Sequence, residues 1–343
     1  MDSRNLVFSH QRQTVLALSK LFDLVEVFTL ESSSEPLPSN IKVTILPWAK
    51  KSAARNLGII IKTVYPILVF NRKSVFFTHM ADVHAAIISP LTWLLRIRHV
   101  LWYAHATNSF YLVWASFFVS TIVSSTTGSC NLRVNRRKVR FINQGISPAE
   151  FPNFARRELS FKRIISYGRL DESKNIHLFP NLIQTLNSSE KLFSIHIYGQ
   201  PVKRDSVDYL AKIKFSLTSQ SLNYAIAFKG RISRSEIKNI AKKYDIFLNL
   251  FSGSLDKTLI EATFMGLPVV TWNREYCEQF GTWSNLPVDA SMEFIIMEIN
   301  CLRSMSLSQF AAENNRRLEI ALTKHSFDGW IKRLVANLNE NTI

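Results

Sequence analysis

A two-part, doubly wound α/β fold is predicted by three observations. Short apolar runs alternate with amphipathic stretches along most of the chain, the pattern of parallel strands joined by helices. Three of the runs in the second half end in glycine, at Gly168, Gly199 and Gly230. The length of 343 residues corresponds to two domains at about 150 residues each, both large enough to bury a core. A mean hydropathy near zero and 24 Phe exclude a disordered or collagen-like chain, which lacks the apolar side chains to offset ordering entropy.

The first half follows the pattern with some irregularity. Residues 6–9 leave room for only a stub of a first strand, so a shortened first unit is expected. A helix over 11–22 leads to a strand over 23–30, a polar loop over 31–40 and a strand over 42–48. A helix over 57–70, a strand over 74–79 and a helix over 81–95 follow, then a strand over 99–105. A helix around 109–118 and strands over 120–125 and 138–145 complete the half. The turn-rich stretch 147–160 reads as a linker.

The second half is cleaner. Strands are expected over 163–168, 193–199, 224–230, 246–251 and 267–272, with helices over 175–186 (interrupted by Pro180), 205–217, 233–244 and 256–265 between them. Ser233 and Glu236 have capping-box spacing. Gly266 with Pro268 ends the last of these helices. The expected architecture is two Rossmann-like domains facing across a cleft, residues 1–150 and 151–324, with a final helix over 325–343 packing back on the first domain.

The chain carries 42 Lys+Arg against 26 Asp+Glu, a formal charge of +16. Residues 1–150 hold 17 Lys+Arg and 7 Asp+Glu, net +10, in clusters such as Arg133, Arg136, Arg137, Lys138 and Arg140. This excess predicts an anionic partner: nucleic acid, an acidic membrane surface or a phosphate-bearing small molecule. The span from His99 to Leu132 has no charged residue, but its apolar core, Phe110 to Val123, is shorter than the roughly 20 residues of a spanning helix. It reads as a buried helix and strand, and no signal peptide is read at the start. Three scattered cysteines, Cys130, Cys277 and Cys301, fit a reducing compartment and no metal-ligand spacing.

Neither a P-loop nor a dinucleotide-binding glycine motif occurs, which removes the main support for ATPase and NAD-dependent readings. Chemistry concentrates in two segments. Gly168–Asn175, GRLDESKN, places Arg169 and Lys174 in a loop after a strand, leading into a helix whose N-terminus adds a positive dipole end. Two cations there suit a pyrophosphate. Ser252–Val270, SGSLDKTLIEATFMGLPVV, places Ser254, Leu255, Asp256 and Lys257 near a helix start, with Glu261 one turn along it. A carboxylate so placed can accept both hydroxyls of a ribose.

These two segments resemble the donor-binding half of the GT-B retaining glycosyltransferases of glycosyltransferase family 4. Phe141–Phe151 resembles the segment that ends the family's N-terminal domain. Val100–His105 resembles the strand that delivers an active-site histidine, and His325–Leu338 is similar to its last helix. The resemblance implies transfer of a sugar from a nucleotide-diphosphate sugar to a saccharide or lipid-linked acceptor, and the basic first half is expected to dock on an anionic membrane, making a peripheral enzyme at the cytoplasmic face. It implies that Arg169 and Lys174 hold the diphosphate and that Glu261 binds the ribose. His105 would contact the donor sugar, while Gly168, Gly199 and residues 254–257 shape the donor site. No cofactor and no metal ion are expected, and no nucleic acid.

The sequence departs from the family pattern at one position. The family's E-x7-E motif would place its first Glu at 253, where this chain has Gly253, with Asp256 the nearest carboxylate. Alternative readings are a catalytically idle GT-B partner protein, another GT-B enzyme such as an epimerase, or a basic nucleic-acid-binding protein. Of the histidines, His105 is singled out by its context, and His10 only by position.

Overall fold

A computed structural model describes residues 9–340 apart from 33–34, 49–51, 155–159, 189–192 and 203. The expected first-strand stub and the middle of the linker lie largely outside the described residues. The chain divides into two compact units. One comprises residues 1–143 together with 328–343, the other residues 144–327.

The first unit contains α1 (Ser9–Leu18), β1 (Val25–Thr29), β2 (Ile41–Ile45), α2 (Ala53–Thr63), α3 (Tyr65–Phe70), β3 (Val75–His79), α4 (Asp82–Leu94), β4 (Arg98–Trp102), α5 (Phe110–Phe118), β5 (Thr121–Ser124) and β6 (Val139–Phe141). Among the described residues the strands form two parallel sheets, a pair β1–β2 and a four-stranded sheet in the order β3–β4–β5–β6. The long helix expected over 57–70 is two helices. The break falls at Val64, with Pro66 in the first turn of α3, where its missing N–H costs nothing. His99 is buried in the sheet between Thr78 Oγ1 (2.8 Å) and Thr92 Oγ1 (3.0 Å), and burial pushes its pKa down to about 3, so it is a neutral packing residue.

The second unit continues with β7 (Arg163–Tyr167), α6 (Phe179–Leu186), β8 (Ser194–Tyr198), α7 (Arg204–Ser219), β9 (Ile226–Gly230), α8 (Arg234–Ala241), β10 (Ile246–Asn249), α9 (Lys257–Phe264), β11 (Val269–Thr271), α10 (Arg274–Phe280), α11 (Met292–Ser304) and α12 (Leu307–His325). Its five strands are all parallel, in the order β11–β10–β7–β8–β9. Successive strand residues face opposite cores. Ile164, Leu248 and Val270 pack on one side, and Ile165, Phe247 and Val269 on the other. Both faces of the sheet are therefore covered, which explains why these strands read as continuous apolar runs. The Ser233–Glu236 capping box forms at α8.

Pro180 does not interrupt a helix. Two 3-10 turns, Glu172–Lys174 and Ile176–Leu178, precede α6, and Pro180 stands in its first turn. Lys174 therefore sits in a 3-10 turn and not at an α-helix N-terminus, which removes the dipole contribution expected there.

The last helix, α13 (Phe327–Asn339), groups almost wholly with the first unit. Its fully buried Trp330 meets the Trp102 ring edge-on at 5.1 Å, and Arg333 Nε donates to the Ile142 carbonyl (2.9 Å). Among the described residues no helix is long and apolar enough to cross a membrane.

Candidate functional site

The carboxyl ends of β7, β8 and β9 are marked by Gly168, Gly199 and Gly230, linked in series. Gly168 N–H donates to the Tyr198 carbonyl (3.1 Å) and Gly199 N–H to that of Gly230 (2.8 Å). Gly199 has no substitute: its φ is +148°, and a Cβ there would lie 2.0 Å from the Gly168 carbonyl oxygen. The strands can close up at this end only because residue 199 carries no side chain.

The loop that follows β7 holds Arg169 and Lys174. Arg169 is exposed, with no hydrogen-bond or ion-pair partner among the described residues. Lys174 is held firmly. Its ammonium pairs with Asp256 and lies 4.2 Å from the centre of the Phe251 ring, and both charged side chains are only 13% exposed.

Asp256 is the N-cap of α9, accepting from Thr258 N–H (3.2 Å) and from Asn249 Nδ2 (3.0 Å). Burial works against its charge, but Lys174 and these donors together keep its pKa below the usual carboxylate value. With its oxygens so engaged, Asp256 serves as a cap and counter-ion. Position 253 has its own constraint. A Cβ on Gly253 would lie 2.2 Å from the tip of the Phe251 ring, so the ring that lines Lys174 also occupies the space a side chain at 253 would enter.

The loop 250–256 is fixed from several directions by residues the sequence pattern did not single out. Asn175 Nδ2 (2.8 Å) and Trp272 Nε1 (2.7 Å) both donate to the Leu250 carbonyl. Asn273, fully buried, donates to the carbonyls of Phe251 (3.1 Å) and Gly253 (3.0 Å). Leu255 donates its N–H to Glu275 (2.6 Å) and accepts at its carbonyl from Gln144 Nε2 (3.0 Å). Every chain polar group so tied is one that need not reorganise when a ligand arrives. Ser254 is half-buried and Leu255 fully buried, whereas Lys257 is exposed at the start of α9.

Glu261 lies one turn into α9 and is 9% exposed. Arg234, at the start of α8, joins it (3.3 Å) to Glu150 (2.9 Å), with the guanidinium 5.0 Å from the Phe151 ring centre. Burial dominates the titration: despite Arg234, the Glu261 pKa is pushed up to about 7, with Asp256 and Glu150 adding to the rise. Arg234 and Glu150 were not identified from sequence, since only the folded topology brings positions 150, 234 and 261 together.

Gly168, Gly199, Lys174, Asp256 and Glu261 thus belong to one end of one sheet, with Arg169 and Lys257 as exposed cations beside them. His105 belongs to the first unit. It is exposed in the loop beyond Trp102, the last residue of β4, with the Tyr103 ring 5.7 Å away, so the strand expected to carry it stops short. His10 is buried in the same unit, its ring 5.7 Å from that of His79 and 5.3 Å from Trp330. Among the described residues no group of three or more His, Cys, Asp or Glu side chains is placed to hold a metal ion.

Residues 150–281 match the family model for glycosyl transferases group 1. No curated protein matches the sequence. Solved structures of similar fold include a glycosyltransferase from Rickettsia africae ESF-5, at 12% identity and TM-score 0.77, covering 99% of this chain and 97% of that one. HepE from Anabaena, in complex with UDP and glucose, is similar at 12% identity and TM-score 0.72, covering 96% and 95%. Sucrose-phosphate synthase from Thermosynechococcus elongatus is similar at 14% identity and TM-score 0.66, covering 95% and 91%. The segment from Glu150 to Gly281 is therefore similar to the group 1 glycosyl transferases, and the chain as a whole has the two-domain, Rossmann-like GT-B fold.

Proposed function

We propose that the protein is a retaining glycosyltransferase of family 4. In this reading it moves a sugar from a nucleotide-diphosphate sugar to a hydroxyl of a lipid-linked or growing saccharide, in cell-surface polysaccharide or glycolipid synthesis. The observation that carries the reading is the coincidence of the family match, residues 150–281, with a strand-end cluster of two cations and a buried carboxyl. The similarity in fold to HepE, solved with UDP and glucose, supports a nucleotide-sugar donor.

Departure of the nucleotide is the step in which negative charge grows, so groups aimed at the diphosphate act chiefly in the transition state. Arg169, exposed and without a partner, is free to take a phosphate in bidentate fashion. Lys174 keeps Asp256 as counter-ion, yet an ammonium has three donors and can bind phosphate with the others. These cations take the role a divalent metal plays elsewhere, and the reaction needs none. Glu261 as carboxylate accepts the two ribose hydroxyls. For His105, as the group beside the donor sugar, the support is the resemblance of Val100–His105. The basic first unit docks on an anionic membrane at its cytoplasmic face, where lipid-linked acceptors are presented.

Thermal denaturation in the presence of UDP-, GDP- and ADP-sugars tests the donor site. One base class should raise the midpoint, and proton NMR of the product should then show the donor's anomeric configuration. If no nucleotide sugar shifts the midpoint, the assignment fails, and binding without transfer or donor hydrolysis would leave only the idle protein.

A further inference from the structure

The first unit presents a face whose composition does not suit water. α5 buries Leu112, Ala115 and Ser116 and turns the opposite stripe outward: Phe110 is 75% exposed, Trp114 44% and Phe117 53%, with Tyr111 beside them. α4 lies alongside in the same direction, since Ser109 hydrogen-bonds Asp82 and Trp114 Nε1 donates to the Ala86 carbonyl (3.2 Å). At the far end the Phe118 ring bridges Trp114 (5.2 Å) and Trp93 (6.0 Å), which continues the patch onto exposed Trp93 and Leu94. Six large apolar side chains on two adjoining short helices exceed the scattered exposure normal for a soluble surface.

Apart from Asp82, whose carboxylate accepts from Ser109 and from the Val83 N–H at the start of α4, the charges along this stretch have one sign. Between Asp82 and Glu150 the chain contains no Asp or Glu but seven Lys+Arg. Lys138 is consumed in capping α5, its ammonium donating to the carbonyls of Ser116, Phe117 and Val119, and this fixes the basic turn 136–138 at the end of the helix. Arg96 follows the end of α4. Arg96, Arg133, Arg136 and Arg137 are exposed and have no ion-pair partner among the described residues.

We propose that the α4–α5 ridge is the element that enters the membrane: the aromatic side chains insert at the headgroup and acyl boundary of an anionic bilayer, and the arginines at the helix ends bind its lipid phosphates. Aromatic side chains with a cationic rim, and a single carboxylate already engaged by Ser109, complement such a surface in both polarity and charge. α5, with nine residues, is about 14 Å long at 1.5 Å per residue and lies on the bilayer without crossing it. The inference rests on the membrane part of the proposed function but not on sugar transfer.

Vesicle sedimentation of the full chain separates the possibilities, using phosphatidylcholine vesicles with and without phosphatidylglycerol. The wild type should prefer the anionic vesicles at low salt, with a blue shift of tryptophan fluorescence. Phe110→Ser combined with Phe117→Ser should lower the partition coefficient roughly tenfold or more. Arg136→Glu combined with Arg137→Glu should abolish the preference for anionic lipid. All four side chains are exposed, so melting temperature and nucleotide-sugar binding in solution should stay at wild-type values, which separates failure here from failure of the transferase reading. Unchanged binding by the Phe110/Phe117 variant would overturn the proposal. So would wild-type protein that self-associates through these aromatics, with the variant monomeric and membrane binding absent in both.

Discussion

The two units differ in the charge of the side chains gathered at their strand ends. In the second unit they are wired together: Lys174 to Asp256, Asp256 to Asn249, Glu261 to Arg234 and Glu150. In the first, the buried network at the end of β5 is one of neutral hydroxyls, Ser124, Ser125 and Ser129, while His99 is sealed neutral inside the sheet and His105 is exposed in a loop. Removing a charge wired into a buried network leaves its partner uncompensated and costs stability, whatever else the group does, while removing an exposed group does not. Substitutions in the second unit should therefore couple folding to activity, and those in the first should not.

Within the second unit itself, Arg169 and Lys174 give the sharpest contrast. Both are proposed to hold the diphosphate, but only Lys174 has a buried partner. Arg169→Ala should cut turnover by about 10²–10³-fold at an unchanged melting temperature. Lys174→Ala should cut turnover comparably and also destabilise by about 3–5 kcal/mol, because Asp256 is left charged and unpaired. Adding Asp256→Asn, which retains the helix cap, should recover most of that stability and none of the turnover. Chemical denaturation and initial rates check each part. Equal melting temperatures for the two single variants would break the contrast.

Gly199→Ala tests the same coupling at the backbone. The new Cβ meets the Gly168 carbonyl in a conformation L side chains avoid, so a loss of about 3 kcal/mol is expected. Because the displaced carbonyl belongs to the residue before Arg169, donor affinity should fall with it. Preserved nucleotide-sugar binding in a destabilised variant would show that the strand ends do not position the site.

Glu261 makes the coupling depend on pH. Its folded pKa is about 7 against an ordinary 4.5, so between those values the folded state binds more protons than the unfolded one. Stability therefore falls as pH rises through that window, and the penalty is complete above 7. It is of order 3 kcal/mol. Glu261→Gln should raise the melting temperature at pH 8, have little effect at pH 4.5, and weaken nucleotide-sugar binding throughout. In the wild type, donor affinity should climb as pH passes 7, since the carboxylate is the form that accepts ribose hydroxyls. A flat difference in stability between pH 4.5 and pH 8 would contradict the buried assignment.

What could be read ahead of the structure follows the same division. The second unit's strands were legible because sheet residues such as Phe247 and Leu248 are buried on both faces and so appear as unbroken apolar runs. Glu261 and the two cations were legible because they stand beside strand ends and a helix start. The network joining them was not. Lys174 and Asp256 are 82 positions apart, and Arg234, Glu150 and Glu261 come from three elements that only the sheet order makes neighbours. Pro180 was misread because a proline in a helix's first turn and one in its interior differ only in where the helix begins, and Asn175 is held at φ +53° between two 3-10 turns. In the first unit the periodicity of 57–70 was right, but the proline at 66 divides it.

The smallest expected effect lies in the first unit and has the opposite sign. Gly58 is an exposed position inside α2, and a Cβ there would meet nothing within 4 Å. Unlike Gly199, it has no positive φ to preserve, so its effect is a cost in backbone entropy alone. Gly58→Ala should stabilise the protein by about 0.5–1 kcal/mol and leave turnover and nucleotide-sugar affinity unchanged. A shift in donor affinity on this substitution would mean that stability and activity are coupled in the first unit as well, and the distinction between the two units would be lost.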